Sequence, residues 1–536
     1  MSNLVRLSIS LILIIFISLG FKLYFVDFSH PPFMDTYGYI LHGFAIADGD
    51  FSEPPRKTLG WSFFISPFLS LYDSDSFLDY VNLVKILSIG ISTFTIYPMY
   101  ALSRKFFNQK YSIIGASLFA FEPHLNYNSV QGLSEPLYIL LIILSFIFIL
   151  HKDSNKIYLS FLFAGLAWWV RWPGMIIFIA ISIIYLVNTR KNPSNLAKYG
   201  ICLVVFLIVV SPMLSQRYDQ FGDPLYFSLS SKLFSGDYGT MLAENTNSFQ
   251  YSAIDYISDN GFSSFLEKFF VKGIFNIFDQ SLRISFPYLI VLFPFGMLFS
   301  LRAFDQRPTF FRSNWIVLFV SLLGLIITFS VIPERRFLFH IIPFLVIFSI
   351  LPIQRVVEYG LSTFDFTSKQ KNLFLVIILL IVIILSSVFS MRYEPLDETL
   401  ENEKRLFAEL MIENFNGRIL ITDEEWRYFT LLKYTSIDFK TYKIDYTKNS
   451  DNLEFLTPIT IHGNTVEEIV INGIPHNLTL IAINENKNSP WFDSFNELYQ
   501  NEENYPYLTK VFDSNEKGFE KLKIKVFKIN YKEISK

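Results

Sequence analysis

The chain has 536 residues, of which 51% are hydrophobic, and its mean hydropathy of +0.36 is too high for a water-soluble protein of this length. Its net charge is −3 and no large basic cluster occurs, which excludes a typical nucleic-acid partner. Apolar runs recur between residues 4 and 390, and about 20 such residues cross a bilayer core of roughly 30 Å. We therefore expect an all-α polytopic membrane bundle.

Eleven apolar runs predict transmembrane helices. In chain order they lie at 4–26, 81–103, 112–128, 134–150, 157–170, 173–187, 198–215, 285–300, 314–331, 337–352 and 372–390. The first run lacks a clear cleavage site, so we expect a retained span rather than a signal peptide. Residues 58–72 are apolar but short and contain Pro67, which is typical of a re-entrant or interfacial segment.

The charges of the loops predict the orientation. With a cytoplasmic N-terminus the cytoplasmic loops are rich in Lys and Arg, whereas residues 27–80 carry eight acids against Arg56 and Lys57. The positive-inside rule favours this orientation. It places the first loop (27–60), a long loop (216–284) with amphipathic patterns and the C-terminus on the extracytoplasmic side.

The composition changes after Met391. Residues 392–536 are charged and mixed, and helical patterns alternate with short apolar runs of strand character. The strand-like runs are 418–422, 478–484 and 521–529. We therefore expect a transmembrane domain over 1–391 and a soluble, extracytoplasmic α/β domain over 392–536.

Asp35 is the first polar residue that indicates chemistry. It lies in the first loop, after a Pro-Pro pair and before a helical pattern. A carboxylate in this place can act as a general base or bind a divalent cation. The alternative is a helix N-cap, since an Asp side chain accepts hydrogen bonds from free backbone amides.

Two further acidic motifs lie at the ends of predicted spans. Glu122-Pro123-His124 ends the third span, and Glu and His are both competent metal ligands. The alternative is that these polar residues mark the point where the span leaves the bilayer. Glu135 opens the fourth span, where an acid is also favourable at the positive end of a helix dipole.

Three arginines complete the set of costly charges. Arg171 follows a run of only 14 residues, 157–170, about 21 Å long at 1.5 Å per residue, so we expect it below the membrane surface. A buried arginine needs an anionic partner, and phosphate fits its planar fork. Arg335 and Arg336 lie on the predicted external side, against the charge bias, where they can bind acids or an anionic headgroup.

This ordered set resembles the GT-C superfamily of membrane glycosyltransferases, in particular the branch of protein O-mannosyltransferases and bacterial aminoarabinose transferases. The matching features are Asp35 in the first loop, Phe121-Glu122-Pro123-His124, the Ser-Glu-Pro-Leu-Tyr start at 134–138, the span from Gly165 to Arg171, and Arg335-Arg336-Phe337. The chain departs from protein mannosyltransferases at Thr36, where their Asp-Glu pair has a second acid.

The resemblance implies an enzyme that inverts the anomeric carbon of a polyprenyl-phosphate-linked sugar, a hexose or pentose, such as a dolichyl phosphate sugar. The acceptor would be a protein, lipid or glycan on the extracytoplasmic face. We expect the membrane to be the plasma membrane of a prokaryote, with the endoplasmic reticulum membrane as the alternative. By position, Asp35 would be catalytic. The residues that would bind the donor phosphate are Arg171, Arg335 and Arg336.

The polar cavity would be completed by Glu122, His124 and Glu135. Asp35, Glu122 and His124 could together hold Mg²⁺, Mn²⁺ or Zn²⁺. The alternative function is a transporter or lipid flippase with an outward-facing polar cavity. Transporters of this size usually have repeated halves with polar residues at mid-depth, whereas here the costly charges collect on one side.

Overall fold

The computed structural model describes residues 3–32, 34–52, 57–151, 156–189, 194–227, 232–234, 251–301, 308–392, 396–421, 425–440, 455–485 and 493–534. The first helices are α1 (Asn3–Phe25), α2 (Met34–Ala47), α3 (Gly60–Leu71), α4 (Phe77–Phe94), α5 (Ile96–Phe106), α6 (Gln109–Ala120), α7 (Pro123–Ser129), α8 (Glu135–Ile149), α9 (Ile157–Val170), α10 (Gly174–Thr189) and α11 (Ser194–Phe221). They are followed by α12 (Ala253–Asn260), α13 (Phe262–Ile284), α14 (Leu289–Ser300), α15 (Pro308–Val331), a 3₁₀ turn (Arg335–Ile341), α16 (Ile342–Arg355) and α17 (Ser368–Ser390).

Five helices of the described residues are long and apolar enough to span a membrane, and α13 with α14, bent by 113°, would add a sixth as a broken span. The five are Phe77–Phe106, Asn195–Phe221, Pro308–Val331, Arg335–Thr363 and Ser368–Ser390. The remaining apolar helices have 10–17 residues, which corresponds to about 15–26 Å at 1.5 Å per residue. The helical membrane character is therefore confirmed, while the number of eleven spans stays a prediction.

The predicted span 112–128 is two helices rather than one. α6 ends before Glu122, and the short helix α7 begins at Pro123. Pro123 has no N–H to donate to the preceding turn, and it occupies the first helical position, where this donor is not needed. The Glu122 side chain accepts from Leu125 N and caps α7.

The first loop carries a helix of its own. α2 occupies its centre and packs against α3, the segment expected to be re-entrant or interfacial. One face of α3 is buried through Trp61, Ile65 and Leu69. The start of α3 lies against the end of α9, because Gly60 has no Cβ, which would otherwise lie 2.5 Å from a carbonyl oxygen of that helix.

Part of the long loop 216–284 has the expected helical character. α11 extends to Phe221, and α12 and α13 follow the part of the loop that lies outside the described residues. α13 contains a π-helical turn (Leu266–Val271) and packs against α15. Part of this loop therefore packs against the helical bundle.

The C-terminal region, residues 396–534, is mixed α/β. Its elements are α18 (Glu398–Asn414), β1 (Arg418–Ile421), α19 (Trp426–Ser436), β2 (Thr457–Ile459), α20 (Val466–Gly473), β3 (Leu478–Asn484), α21 (Asp493–Gln500), β4 (Leu508–Asp513), β5 (Ile524–Ile529) and α22 (Tyr531–Ile534). The sheet order is β2-β1-β3-β5-β4; β1 is parallel to both of its neighbours, and β5 is antiparallel to both of its own. One apolar core lies on each face of the sheet, which is why the strands read as continuous apolar runs.

Candidate active site

Asp35 lies in the first turn of α2, and both of its carboxylate oxygens bind cations. Oδ1 is 3.1 Å from Lys57 Nζ, and Oδ2 is 2.5 Å from Arg336 Nη1. Burial alone would raise the pKa of Asp35, but the charges and hydrogen bonds of Lys57 and Arg336 outweigh it and hold this pKa well below its ordinary value. The carboxylate is therefore ionised and held in place by two cations, rather than serving as a simple helix cap.

Arg171 and Glu135 form a second ion pair. Arg171 is the residue directly after α9, and its Nη1 lies 2.5 Å from Glu135 Oε1 and donates to Ser134 Oγ at 3.2 Å. The Glu135 side chain is 2% exposed and that of Arg171 12%. The anionic partner that the sequence predicted for Arg171 is thus a carboxylate of the chain itself.

Phe337 and Tyr39 join the two ion pairs into one cluster. The Phe337 ring centroid is 5.5 Å from Arg171 Cζ and 5.8 Å from Arg336 Cζ, so both guanidinium groups contact this ring. Tyr39 OH is 3.2 Å from Ser134 Oγ, and Lys57 Nζ is 5.1 Å from the Tyr39 ring centroid. Three cations and two carboxylates therefore meet where α2, α8, α9 and the 3₁₀ turn come together.

The two neighbouring arginines point to different partners. Arg336 Nε also binds Glu334 Oε2 at 2.5 Å, in addition to its bond with Asp35. Arg335 Nε donates to Gln280 Oε1 of α13 at 3.2 Å. The structure thus brings Arg336 and Arg171 together with Asp35, and it directs Arg335 towards α13.

Glu122 and His124 form a buried pair of their own. His124 Nδ1 is 2.8 Å from Glu122 Oε1, and both residues are buried. The His124 ring packs against Phe389 and Phe339, with centroids 5.2 and 6.4 Å away. Because Glu122 Oε2 caps α7 and Oε1 contacts His124, both oxygens of this carboxylate have structural partners.

We expect Glu122→Ala to lower the free energy of unfolding. Loss of an N-cap costs about 1 kcal/mol, and the buried His124 also loses its contact with Glu122. Thermal unfolding in detergent measures the difference. An unchanged melting temperature would contradict the assignment of Glu122 as a helix cap.

The predicted metal ligands are not assembled. Across the described ranges, no three His, Cys, Asp or Glu side chains lie close enough to hold a metal ion. Asp35 binds two cationic side chains, and the Glu122–His124 pair is a buried helix cap. The donors present at Asp35, Glu122 and His124 therefore do not fit a shared Mg²⁺, Mn²⁺ or Zn²⁺ site.

Sequence reasoning assigned no role to Lys57 or Tyr39, and it included Phe337 only as part of the motif Arg335-Arg336-Phe337. The signal for Lys57 was present, since it is one of two basic residues in the acidic segment 27–80 and runs against the charge bias, as Arg336 does. Tyr39 and Phe337 carried no comparable signal, because aromatic residues are abundant throughout this chain.

We expect Arg171→Met to destabilise the protein by about 3–5 kcal/mol, because it leaves the buried Glu135 carboxylate without its cation. The double variant Arg171→Met/Glu135→Gln should recover most of this loss, since it removes the unpaired charge as well. Chemical unfolding of both variants in detergent measures the difference. Equal stability of the single variant and the wild-type protein would contradict this assignment.

Comparison with known families gives a match to one part of the chain. The family described as dolichyl-phosphate-mannose-protein mannosyltransferase matches residues 56–215. Its match begins one residue before Lys57 and includes Glu135 and Arg171. No curated protein matches the sequence.

Solved structures match nearly the whole chain. ArnT from Cupriavidus metallidurans bound to undecaprenyl phosphate has a TM-score of 0.55 and 11% identity, with 98% of each chain covered. The oligosaccharyltransferase AglB from Archaeoglobus fulgidus, in complex with an inhibitory peptide and a dolichol-phosphate, has a TM-score of 0.53 and 13% identity, covering 88% of this chain and 69% of that one. The same archaeal enzyme in complex with Zn and sulfate matches with a TM-score of 0.52, 13% identity and coverages of 88% and 68%. The chain therefore shares its fold with these enzymes, and the resemblance expected from its motifs is confirmed at the level of the fold.

Proposed function

We propose that this protein is an integral-membrane glycosyltransferase that moves a hexosyl or pentosyl group from a polyprenyl-phosphate-linked donor to a protein, lipid or glycan acceptor. The observation that carries the proposal is the contact of Asp35 with Lys57 and Arg336, next to Arg171, in a chain with the GT-C fold. Related folds have been solved with undecaprenyl phosphate and with dolichol-phosphate and a peptide.

The cations supply the donor-phosphate site. Lys57, Arg171 and Arg336 lie around Tyr39 and Phe337, and guanidinium groups bind phosphate oxygens in pairs. A phosphate group carries more acceptor oxygens than a carboxylate, so it can take over cations that are paired with Asp35 and Glu334 in the free protein. Among the predicted phosphate ligands, Arg335 has the weakest support, because it contacts Gln280 instead.

Asp35 then changes its role with the binding of the donor. In the free protein its two cationic partners depress its pKa and make it a weak base. Once the phosphate shares Lys57 and Arg336, the pKa of Asp35 rises towards its ordinary range. Donor binding therefore activates the carboxylate at the moment when an acceptor hydroxyl or amide has to be deprotonated.

The chemical step follows from this arrangement. The acceptor O–H or N–H gives its proton to Asp35 while the acceptor atom attacks the anomeric carbon. The bond between that carbon and the phosphate oxygen breaks, and its electron pair leaves with polyprenyl phosphate. The cations stabilise the developing phosphate charge, which is the larger part of such catalysis in a site of this kind. No step is assigned to a metal ion.

The orientation and domain division complete the proposal. The N-terminus is cytoplasmic, the first loop and the α/β region are extracytoplasmic, and the membrane is a prokaryotic plasma membrane. The charge distribution of the loops supports this orientation. The division into a transmembrane domain, 1–391, and an α/β domain, 392–536, is supported by the separate apolar cores that flank the sheet.

The test is turnover with defined donors. The full-length protein in nanodiscs is incubated with a panel of polyprenyl-phosphate sugars and candidate acceptors, and release of polyprenyl phosphate is followed. We expect release with one class of sugar. Movement of the intact donor between leaflets of proteoliposomes, with no bond cleavage for any sugar, would instead support a flippase.

A further inference from the structure

The backbone that leads into Asp35 is held by two cationic side chains from distant parts of the chain. Lys85 of α4 donates through Nζ to the carbonyl oxygens of Asp27 and His30, the latter at 3.1 Å. Arg427 of α19 donates through Nη1 to the carbonyl oxygen of Pro31 at 3.1 Å. A segment with two consecutive prolines cannot be tied down by helical hydrogen bonds, so these side-chain donors fix its path.

Tyr37, two residues after Asp35, is tied to the same arginine. Tyr37 OH donates to the backbone carbonyl oxygen of Arg427 at 3.3 Å, and Tyr37 is 1% exposed. The Tyr37 ring also stacks on Phe77 of α4, with centroids 5.7 Å apart. Arg427 therefore contacts the first loop on both sides of Asp35, at Pro31 and at Tyr37.

Arg427 is itself fixed by a buried carboxylate of α18. Its Nη2 lies 2.6 Å from Glu401 Oε2, which also accepts from Tyr428 OH at 2.6 Å, while Glu401 Oε1 binds Lys404 Nζ at 3.0 Å. Glu401 is 2% exposed and Arg427 is 7% exposed. A buried network of this kind is well ordered only when its members are all in place.

Other contacts join the α/β region to the helices without touching the Asp35 segment. Phe439 packs its ring against Phe77 and Tyr80, at centroid distances of 5.1 and 5.6 Å. Lys440 Nζ is 2.8 Å from Asp73 Oδ1. The Lys440–Asp73 ion pair is exposed. Its removal is therefore a control for the loss of a contact between the α/β region and the helices that does not involve the Asp35 segment.

We propose that Arg427, locked by Glu401, is a positioning residue for Asp35, so that the α/β region sets the geometry of the carboxylate. The inference rests on the proposed function for its catalytic readout. Asp35 has to meet both its cations and the acceptor, and a displacement of about 1 Å in such a site can lower the rate about 100-fold. Loss of the Arg427 bond to Pro31 frees the turn that carries Asp35.

The experiment compares Arg427→Gln and Glu401→Gln with the control Lys440→Ala in the full-length protein. We expect the first two to lower kcat for sugar transfer at least 10-fold with an unchanged KM for the donor, because the phosphate-binding cations remain. Arg427→Lys keeps a donor for Pro31 and should recover part of kcat. Lys440→Ala should retain wild-type kcat.

Hydrogen exchange supplies a readout that does not depend on activity. Arg427→Gln should speed amide exchange in residues 27–37, and Lys440→Ala should leave this segment protected. If Arg427→Gln unfolds the α/β region, Glu401→Gln/Arg427→Gln, which leaves no carboxylate unpaired, is measured in its place.

Three outcomes would overturn the inference. The first is that the Arg427 and Glu401 variants keep wild-type kcat and wild-type amide exchange at 27–37. The second is that Lys440→Ala lowers kcat as much as these variants do. The third is that the Arg427 and Glu401 variants change only the KM for the donor and not kcat. If the wild-type protein turned over no donor, the proposed function would fail, whereas faster exchange at 27–37 in Arg427→Gln alone would still support the positioning role.

Discussion

Asp35→Asn is expected to lower kcat for sugar transfer by about 10²- to 10⁴-fold, the range that a positioned general base contributes. Asparagine keeps the size of the side chain and can still accept from Lys57 or Arg336, but it cannot take a proton from the acceptor. The measurement is the rate of polyprenyl phosphate release at saturating donor, with the melting temperature as the check on folding.

Asp35→Asn should not weaken the binding of the donor, although it lowers kcat. Asp35 and the phosphate compete for Lys57 and Arg336, so removal of the carboxylate charge should leave the affinity for polyprenyl phosphate unchanged or higher. Wild-type turnover in Asp35→Asn would remove Asp35 from the mechanism. Loss of turnover together with loss of lipid binding would show that Asp35 only organises the cations.

Arg336→Gln is expected to raise the KM for the donor about 10- to 150-fold, because a hydrogen bond to a charged group contributes about 1.5–3 kcal/mol. The loss should appear in the binding of polyprenyl phosphate without a sugar as well, since in the proposed site the guanidinium binds the phosphate and not the glycosyl group. Binding can be followed by quenching of intrinsic tryptophan fluorescence as the lipid is titrated.

The neighbouring arginine provides a matched control for this prediction. Arg335 has the same charge and lies in the same turn, yet its side chain contacts Gln280. Arg335→Gln should therefore change the KM for the donor less than threefold. An equal rise in both variants would show that the site responds to the summed positive charge of this turn rather than to the contact between Arg336 and Asp35.

Much of the fold follows from patterns that the sequence displays openly. Long apolar runs predict spanning helices, and the change after Met391 predicts the α/β region, where β3 has the bounds expected for it. The predicted span 112–128 is interrupted at Glu122-Pro123, where one helix ends and another begins. A continuous apolar pattern does not show where a helix ends within it.

The site was predictable only in part, for a physical reason. Costly charges such as Asp35, Arg171 and Arg336 stand out against an apolar background, so they could be found one by one. Which of them meet depends on helix packing, and that is why the sequence alone grouped Glu122 and His124 with Asp35. Arg427 could not be found in this way, since an arginine in a charged, soluble region carries no signal of its own.

The most direct test of the account is a structure of the full-length protein with polyprenyl phosphate bound. We expect a phosphate group between Lys57, Arg171 and Arg336, with Asp35 released from at least one of its two cations and open to the acceptor. A phosphate held elsewhere, with Lys57 and Arg336 still paired to Asp35, would contradict it.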